Sequence, residues 1–226
     1  MAGKQRRQKS MRENPAAKII LVVFAVFMLF SLVIYANDVI FKFDFIPSAD
    51  DIISWLNGKS NAVTVADGEI AVHFIDVEQG DCELIVSGDK TVLIDCGEKI
   101  HSERVKNYLK NQGIRKLDYI IATHPHEDHI GGMAEIMKEF TVGTVIMPEV
   151  PSDLLPMTQN FEDMLDTIDR RGITAEYSRL GRTLDLGNGA VLEFLAPVHD
   201  DYTNLNNYSI TCRLVHGNKS FLFTGD

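Results

Sequence analysis

The chain has 226 residues, of which 45% are apolar and 24% are charged, and its formal net charge is −10. This composition is typical of a folded globular protein. It excludes disordered, collagen-like and disulfide-stapled classes, because three cysteines cannot hold together a chain of this length. The negative charge argues against a protein that binds nucleic acid by general electrostatic attraction.

The N-terminal segment differs in charge from the rest of the chain. Residues 1–18 contain six basic residues and one acidic residue, a net charge of +5, so the rest of the chain carries −15. Residues 19–36 contain no charged residue, and a helix of this length spans about 27 Å, close to the hydrocarbon thickness of a bilayer. We therefore predict a basic cytoplasmic tail (1–18) and a transmembrane signal anchor (19–36), with the main domain outside the cytoplasm at the cell membrane.

A cleaved signal peptide is the alternative to this anchor. The apolar part of a signal peptide usually has about 7–15 residues and precedes small residues at a cleavage site. The apolar run here is longer, and Ile34-Tyr35-Ala36 lacks the small residue two positions before Ala36. The basic tail could also be a polybasic arm for DNA or lipid, but membrane topology already accounts for its charge. Residues 37–67 are predicted to form a linker with a short helix near residues 48–56.

From residue 68 onward, short apolar runs alternate with turn signals and amphipathic segments. This pattern predicts a mixed α/β domain over residues 68–226. Helices are expected at 102–111 (with Ser102 as the N-cap), 131–140 and 158–171. Strands are expected at 70–75, 83–86, 91–94, 117–122, 142–147, 174–177, 191–195, 209–215 and 220–223.

Two of the three cysteines flank a predicted hairpin whose turn lies at residues 87–90. With a three-residue loop, Cys82 and Cys96 would lie opposite each other, and outside the cell they could form a disulfide. Buried thiols at core positions are the favoured interpretation. Cys212, in an apolar strand, is interpreted in the same way.

The most informative stretch is HPHEDH at residues 124–129, directly after an apolar strand. Imidazole and carboxylate groups are ligands of Zn²⁺ or Mn²⁺. His124 and His126, two residues apart, can point toward one metal. Asp128 and His129 can reach a second metal about 3.5–4 Å away, as in two-metal hydrolases. The stretch therefore predicts a site for two divalent metal ions, Zn or Mn.

This stretch resembles the HxHxDH signature of the metallo-β-lactamase superfamily. The segments LIDCG at residues 93–97 and FTGD at residues 223–226 resemble two further motifs of that family, in the same order along the chain. The resemblance implies an α/β metallo-β-lactamase fold, a four-layer αββα sandwich of the α+β type. It also implies a bridging role for Asp226, a second role for Asp128 in catalysis, and an orienting role for Asp95. The implied metal ligands are His124, His126, Asp128, His129 and Asp226.

Two further segments are similar to the catalytic domain of ComEC-type competence proteins, a subgroup of that superfamily that takes up DNA. They are FIDVEQGD at residues 74–81 and NNYS at residues 206–209. The resemblance implies that Asp76, Asp81, Asn207 and Ser209 support the ligands or contact the substrate. It implies a membrane-anchored, extracytoplasmic metal-dependent hydrolase, a phosphodiesterase or nuclease that acts on DNA through a water activated by the metals.

The sequence departs from the family pattern in three places. Glu78 replaces the usual glycine, which puts the local turn in question. Residues 205–207 contain no histidine where the superfamily has its next ligand, which argues against a true β-lactamase. His199 is a nearby candidate substitute, but a lone histidine in a loop is more often solvated. The family's HHGS-like segment would follow Asp226, so we expect a fold that is incomplete at the C-terminus through truncation.

Two other functions stay open beside the phosphodiesterase. One is hydrolysis of small esters, lactones or thioesters, and the other is a non-catalytic, metal-stabilised binding module. The expected partners are a phosphodiester or nucleic-acid substrate and the lipid bilayer around residues 19–36. Because the main domain is acidic, we expect the metals, and not basic side chains, to attract an anionic substrate.

Overall fold

The computed structural model describes residues 15–36 and 65–226, which belong to two separate compact units. The first described segment is one helix, α1 (Pro15–Ala36), and the second is the main domain. The predicted linker helix near residues 48–56 and most of the basic tail lie outside the described residues.

Helix α1 contains the segment predicted as a membrane anchor. Its proline is at the first helical position, where a missing N–H breaks no intrahelical hydrogen bond. Within the described residues, α1 is the one helix long and apolar enough to cross a membrane, over Lys18–Ala36, by length and composition only. The helix is therefore confirmed, and its role as an anchor stays a prediction.

The main domain contains two β-sheets. The strands are β1 (Ile70–Phe74), β2 (Glu83–Ser87), β3 (Lys90–Ile94), β4 (Lys116–Ile121), β5 (Thr141–Met147), β6 (Thr174–Tyr177), β7 (Thr183–Asp185), β8 (Ala190–Phe194), β9 (Cys212–His216) and β10 (Lys219–Phe223). The first sheet has β1 to β6 in chain order, antiparallel from β1 to β3 and parallel from β3 to β6. The second sheet is antiparallel, in the order β10-β9-β8-β7.

The helices of the main domain cover one face of the first sheet. They are α2 (Ser102–Asn111), α3 (Glu127–Ile130), α4 (Met133–Glu139) and α5 (Gln159–Arg171). Neighbouring residues of a strand point to opposite faces. On β2, Leu84 accordingly packs in the core on the helix side, whereas Ile85 packs in the core that contains side chains of the second sheet.

The layer order of the main domain is helices, first sheet, second sheet. The helices contribute side chains to the first core and none to the second. Residues 65–226 therefore form three of the layers of an αββα sandwich. This confirms the predicted fold class, and the described residues contain no helical layer on the second sheet.

Several local predictions differ from the structure. Ser102 is the first residue of α2 and not its cap, because a 3₁₀ turn at Lys99–His101 leads into the helix. The helix expected at 131–140 is α4, which is shorter at both ends, and a separate short helix, α3, precedes it and begins inside the histidine stretch. Strand β7 was not predicted.

The three cysteines are free and buried. The hairpin turn has two residues, since Ser87 pairs with Lys90, so the condition for placing the two cysteines opposite each other is not met and Cys82 is one position out of register with Cys96. Burial raises the pKa of Cys82 and of Cys96 well above the usual thiol value. Both side chains are therefore neutral core thiols, which confirms the favoured interpretation.

Candidate metal centre

The polar segments of the site meet where strands of both sheets end. Because β3 and β4 are parallel, Asp95 after β3 and His124 after β4 emerge at the same edge. The backbone N–H of Asp95 donates to the carbonyl of Ile121 at 2.9 Å, which fixes the two strand ends against each other. Asp226 follows β10 of the second sheet, so the site lies between the sheets at this edge.

Three side chains converge here with donor atoms of the kind that bind metals. His124, His129 and Asp226 each place one such atom within 4.8 Å of the others. Asp226 Oδ1 is 3.2 Å from His129 Nε2, and its Oδ2 is 4.0 Å from His124 Nε2. His126 joins the cluster through its Nδ1, 3.0 Å from His124 Nε2.

Asp95 orients both buried histidines. Its carboxylate is fully buried and accepts hydrogen bonds from the Thr123 backbone N–H at 2.8 Å and from the Thr123 hydroxyl at 2.6 Å. His129 Nδ1 lies 2.7 Å from the same carboxylate and donates to it. The Thr123 oxygen, having given its proton to Asp95, accepts from His124 Nδ1 at 3.1 Å. Both imidazoles therefore turn their Nε2 atoms toward Asp226.

The electrostatics of the two buried histidines differ. Burial, with the neighbouring His129 and His126, lowers the pKa of His124 to about 4, so its imidazole is neutral. Burial alone would also lower the pKa of His129, but the hydrogen bond and charge of Asp95, with the charges of Asp226 and Asp128, raise it to about 9. The surroundings of His129, the imidazole nearest Asp226, therefore favour a positive charge at this position.

These residues fit a divalent metal. The unprotonated Nε2 of a neutral His129 would face a carboxylate oxygen of Asp226 at 3.2 Å, an arrangement that needs a cation or a proton between the two atoms. Neutral imidazole nitrogens with a carboxylate form the donor set that Zn²⁺ and Mn²⁺ accept. A ligating histidine also normally donates its other N–H to a carboxylate or similar acceptor, as His129 does to Asp95.

Asp128 lies on α3 beside this cluster and not within it. Its Oδ2 accepts from Gln79 Nε2 at 3.3 Å. The loop between β1 and β2 packs closely here, because a Cβ atom at Gly80 would lie 1.7 Å from the carbonyl oxygen of Asp128. Gly80 has φ +91, which L side chains rarely adopt. The β1–β2 loop therefore positions the turn that carries Asp128.

Asp81 and Asp76, both in the β1–β2 loop, differ in their position relative to the site. Asp81 has a carboxylate oxygen within 4.8 Å of donor atoms of Asp95 and His129, so the structure brings it to the site. Asp76 is exposed, and its Oδ1 accepts from the backbone N–H of Glu78 at 3.0 Å. This hydrogen bond keeps the turn at Glu78 in the left-handed conformation, with φ 64, that a glycine would adopt more readily.

The segment before β9 contributes residues that only partly match the sequence prediction. The Ser209 hydroxyl lies 3.3 Å from His124 Nδ1 and accepts from the backbone N–H of Asp226 at 3.2 Å. Asn207 is exposed, and the neighbouring Asn206 is the residue whose amide donates to Asp226 Oδ2, at 3.4 Å. No sequence pattern distinguishes Asn206 from Asn207, and none indicates Thr123 or Gln79.

One pocket adjoins the site. It has a volume of about 110 Å³ and is mostly apolar, with walls that include His124, Phe161, Met164 and Tyr177. His199, the proposed substitute ligand, lines a separate groove, and within residues 65–226 it belongs to none of the groups of converging metal-binding atoms. Metal binding by the predicted ligands stays a prediction.

A mixed sheet facing an antiparallel sheet, with histidines and carboxylates converging at the strand ends, is the architecture of metal-dependent hydrolases of the αββα class. Residues 75–226 match the family model of the metallo-β-lactamase superfamily. The chain belongs to that superfamily and is, at this general level, a metallo-hydrolase.

Known relatives support the predicted subgroup. The chain is 29% identical to ComE operon protein 3 of Bacillus subtilis (strain 168) over 179 residues, which are 69% of this chain and 22% of that protein. It is 30% identical over 116 residues, 49% of this chain, to the anaerobic nitric oxide reductase flavorubredoxin of Pectobacterium atrosepticum, of which it covers 20%. The chain thus spans about a fifth of the length of these relatives. The first supports the competence-type subgroup.

A solved structure supports the fold. A metallo-β-lactamase with a HARLDQ motif from Cronobacter sakazakii superposes with a TM-score of 0.50 at 18% identity. The match covers 68% of this chain and 58% of that one. At this identity the likeness concerns the fold alone.

Proposed function

We propose that this protein is a membrane-anchored, extracytoplasmic phosphodiesterase that acts on nucleic acid and uses two divalent metal ions. The observation that carries the proposal is the convergence of His124, His129 and Asp226, in which Asp226 turns Oδ1 toward His129 and Oδ2 toward His124. The similarity to ComE operon protein 3 is consistent with a DNA substrate.

The residues of the site would divide the two metals between them. His124 and His126 would hold one, His129 and Asp128 the other, and Asp226 would lie between. When bound, the metals supply Lewis acidity and a water of lowered pKa, which suits attack on a phosphodiester.

The protein itself supplies orientation and charge. Asp95 and Thr123 fix which nitrogen each buried imidazole presents. Asp128, on the turn held by Gln79, would orient the attacking water in addition to binding metal. Preorganised groups of this kind do not need to reorient during the reaction, which is the main source of their catalytic effect.

The direct test is hydrolysis by the purified full chain with Mn²⁺ or Zn²⁺. We expect cleavage of bis(p-nitrophenyl) phosphate and of a labelled DNA oligonucleotide, abolished by a chelator. His126→Ala should remove this activity and leave the thermal stability of the metal-free protein unchanged. His216→Ala is the matched control, because His216 lies at the far end of β9, and it should retain full activity.

The other candidate functions give different results in the same assay. A metal-loaded protein that cleaves p-nitrophenyl acetate, a lactone or a thioester but neither phosphodiester would be a hydrolase of small esters. A protein that binds metal and cleaves none of these substrates would be a binding module. Either result would overturn the phosphodiesterase proposal.

A further inference from the structure

A second groove lies at the same edge of the first sheet as the metal centre. It is formed by the loops that follow β5, β6 and β8, at residues 149–151, 178–180 and 197–200, and its volume is about 610 Å³. We call it the Arg179 groove. Because β4, β5 and β6 are parallel, the loops after β5 and β6 emerge at the same edge as the loop that carries His124. Val150 lines both this groove and the apolar pocket that has His124 in its wall.

A buried hydroxyl without a partner lines this groove. Ser178 is only 6% exposed, and its backbone N–H donates to the carbonyl of Met147 at 2.8 Å. Its Oγ has no hydrogen-bond partner. Buried polar atoms in folded proteins almost always have one, so an unpaired hydroxyl at the edge of a groove indicates a missing acceptor.

Arg179 next to it is a cation already paired with a carboxylate. Its guanidinium contacts Glu149 Oε2 at 2.7 Å, and the two side chains are 66% and 60% exposed. A pair this exposed contributes little stability, so another anion can displace Glu149 at small cost. Arginine is also the residue whose planar fork matches two oxygens of a phosphate.

The rest of the groove suits a nucleotide better than a free anion. Leu180 and Val198, each 57% exposed, give it apolar surface against which a sugar or base can pack. Glu149 and Asp200 also line it, so the groove is not a general cationic patch. An anion is therefore expected to bind at the guanidinium and not across the whole surface.

We propose that the Arg179 groove binds a second phosphate of the nucleic-acid strand whose scissile phosphate lies at the metal centre. Arg179 exchanges Glu149 for this phosphate, and the Ser178 hydroxyl donates a hydrogen bond to it. The inference rests on the proposed function and assigns to the enzyme a preference for a strand over a single phosphodiester.

The test compares a substrate with one phosphate and a substrate with several. Losing an arginine–phosphate contact in Arg179→Ala should raise KM for a 12-nucleotide single strand about tenfold. The same variant should leave kcat/KM for bis(p-nitrophenyl) phosphate unchanged. Glu149→Gln, which frees the guanidinium, should lower KM for the strand.

Matched controls come from another exposed ion pair with the same distance between nitrogen and oxygen. Arg170 contacts Asp166 at 2.7 Å on α5, outside the groove. Arg170→Ala and Asp166→Asn change the net charge by the same amounts and should leave KM for the strand unchanged. If they act as strongly as the groove variants, the effect is general electrostatics and the proposal is wrong. It is also wrong if Arg179→Ala affects both substrates equally.

A binding measurement separates this proposal from the proposed function. Fluorescence anisotropy of a labelled single strand, with the full chain in a chelator, requires no catalysis. Weaker binding by Arg179→Ala and tighter binding by Glu149→Gln would support the groove even if the protein cleaved neither substrate. Unchanged binding by both variants would overturn it even if the protein were an active phosphodiesterase.

Discussion

Asp95 is the residue on which the orientation of the metal centre depends most. It is fully buried and accepts three hydrogen bonds, two from Thr123 and one from His129. Its φ of 50 lies in the left-handed region, which Asp and Asn tolerate better than other side chains. Replacement by Asn therefore changes the hydrogen bonding and charge with little change in backbone strain.

We predict that Asp95→Asn weakens metal binding by about 10–100-fold, the usual effect of removing the partner of a ligating histidine. The asparagine amide cannot accept on both of its polar atoms, so Thr123 or His129 loses its acceptor. Metal affinity can be measured by competition with a chromophoric chelator. Thr123→Ser keeps the hydroxyl that donates to Asp95 and should bind metal normally. Unchanged affinity in Asp95→Asn would show that Asp95 does not orient His129.

Two separate features of the structure require glycine at position 80, the backbone conformation and the close contact with Asp128. Its φ of +91 disfavours any side chain, and an added Cβ would also lie 1.7 Å from the Asp128 carbonyl oxygen. Gly181 has a similar φ of +78, but a Cβ there would meet nothing within 4 Å. The two positions therefore share the backbone strain and differ in the contact.

We predict that Gly181→Ala lowers the free energy of unfolding by about 1 kcal/mol, the cost of the left-handed conformation alone. Gly80→Ala should lower it by clearly more, about 3 kcal/mol, because the β1–β2 loop and α3 must also move apart. Urea unfolding of the metal-free protein measures both values. Equal losses would mean that the loop yields freely and does not position Asp128.

At the scale of elements, Asp118 ties β4 to β3. It is 8% exposed, and its Oδ2 accepts from the Thr91 backbone N–H at 3.1 Å, while Lys116 and Lys90 contact its Oδ1. Burial alone would raise the pKa of Asp118, but the hydrogen bond of Lys116, the Thr91 N–H and the lysine charges lower it below its ordinary value of 3.8. The ionised form is therefore favoured by folding.

We predict that Asp118→Asn lowers the free energy of unfolding by about 1 kcal/mol at neutral pH, through loss of charge-assisted hydrogen bonds. A carboxylate with a depressed folded pKa contributes stability above its unfolded pKa and loses it as the pH falls through the folded value. The difference between variant and wild type should therefore be constant above about pH 5 and shrink below 3.8. Asp166→Asn, at an exposed helix pair, should change stability by only a few tenths of a kcal/mol. A difference independent of pH would contradict this account.

Some of the helices and strands could be predicted from sequence patterns, and others could not. The bounds predicted for helix α5 agree with the structure to within one residue because an apolar face recurs at helical spacing, and in the structure Thr158 caps its start and Gly172 its end. Strand β7 was missed because it has three residues and one buried side chain, too few for alternation to show. The hairpin register could not be predicted, since the sequence GD allows a loop of two or of three residues.

The residues of the site also differ in whether the sequence could predict them. The histidine stretch could be predicted because its members are consecutive in the chain. Asn206 in place of Asn207, and the contacts of Thr123 and Gln79, depend on how loops from distant positions meet, which no local pattern records. The Arg179 groove is formed by three separate loops and could not have been predicted from the sequence.

At the scale of the whole molecule, charge and hydropathy divide the chain into a basic tail, an apolar helix and an acidic remainder. The tail carries +5 and the remainder −15. Helix α1 has the length and composition of a membrane span over Lys18–Ala36. Basic residues beside a span are retained on the cytoplasmic side, so the distribution of charge favours one orientation.

We predict that the chain stays in the membrane fraction after carbonate extraction and that protease added to intact spheroplasts digests the main domain. The reason is that translocating six basic residues is disfavoured, whereas the acidic domain crosses without this penalty. An epitope tag at the N-terminus should be protected until the cells are lysed. Replacing the basic residues of the tail with Gln should weaken this protection by allowing the opposite orientation. A main domain released by carbonate, or one of lower mass lacking residues 1–36, would instead show that the helix is removed as a signal peptide.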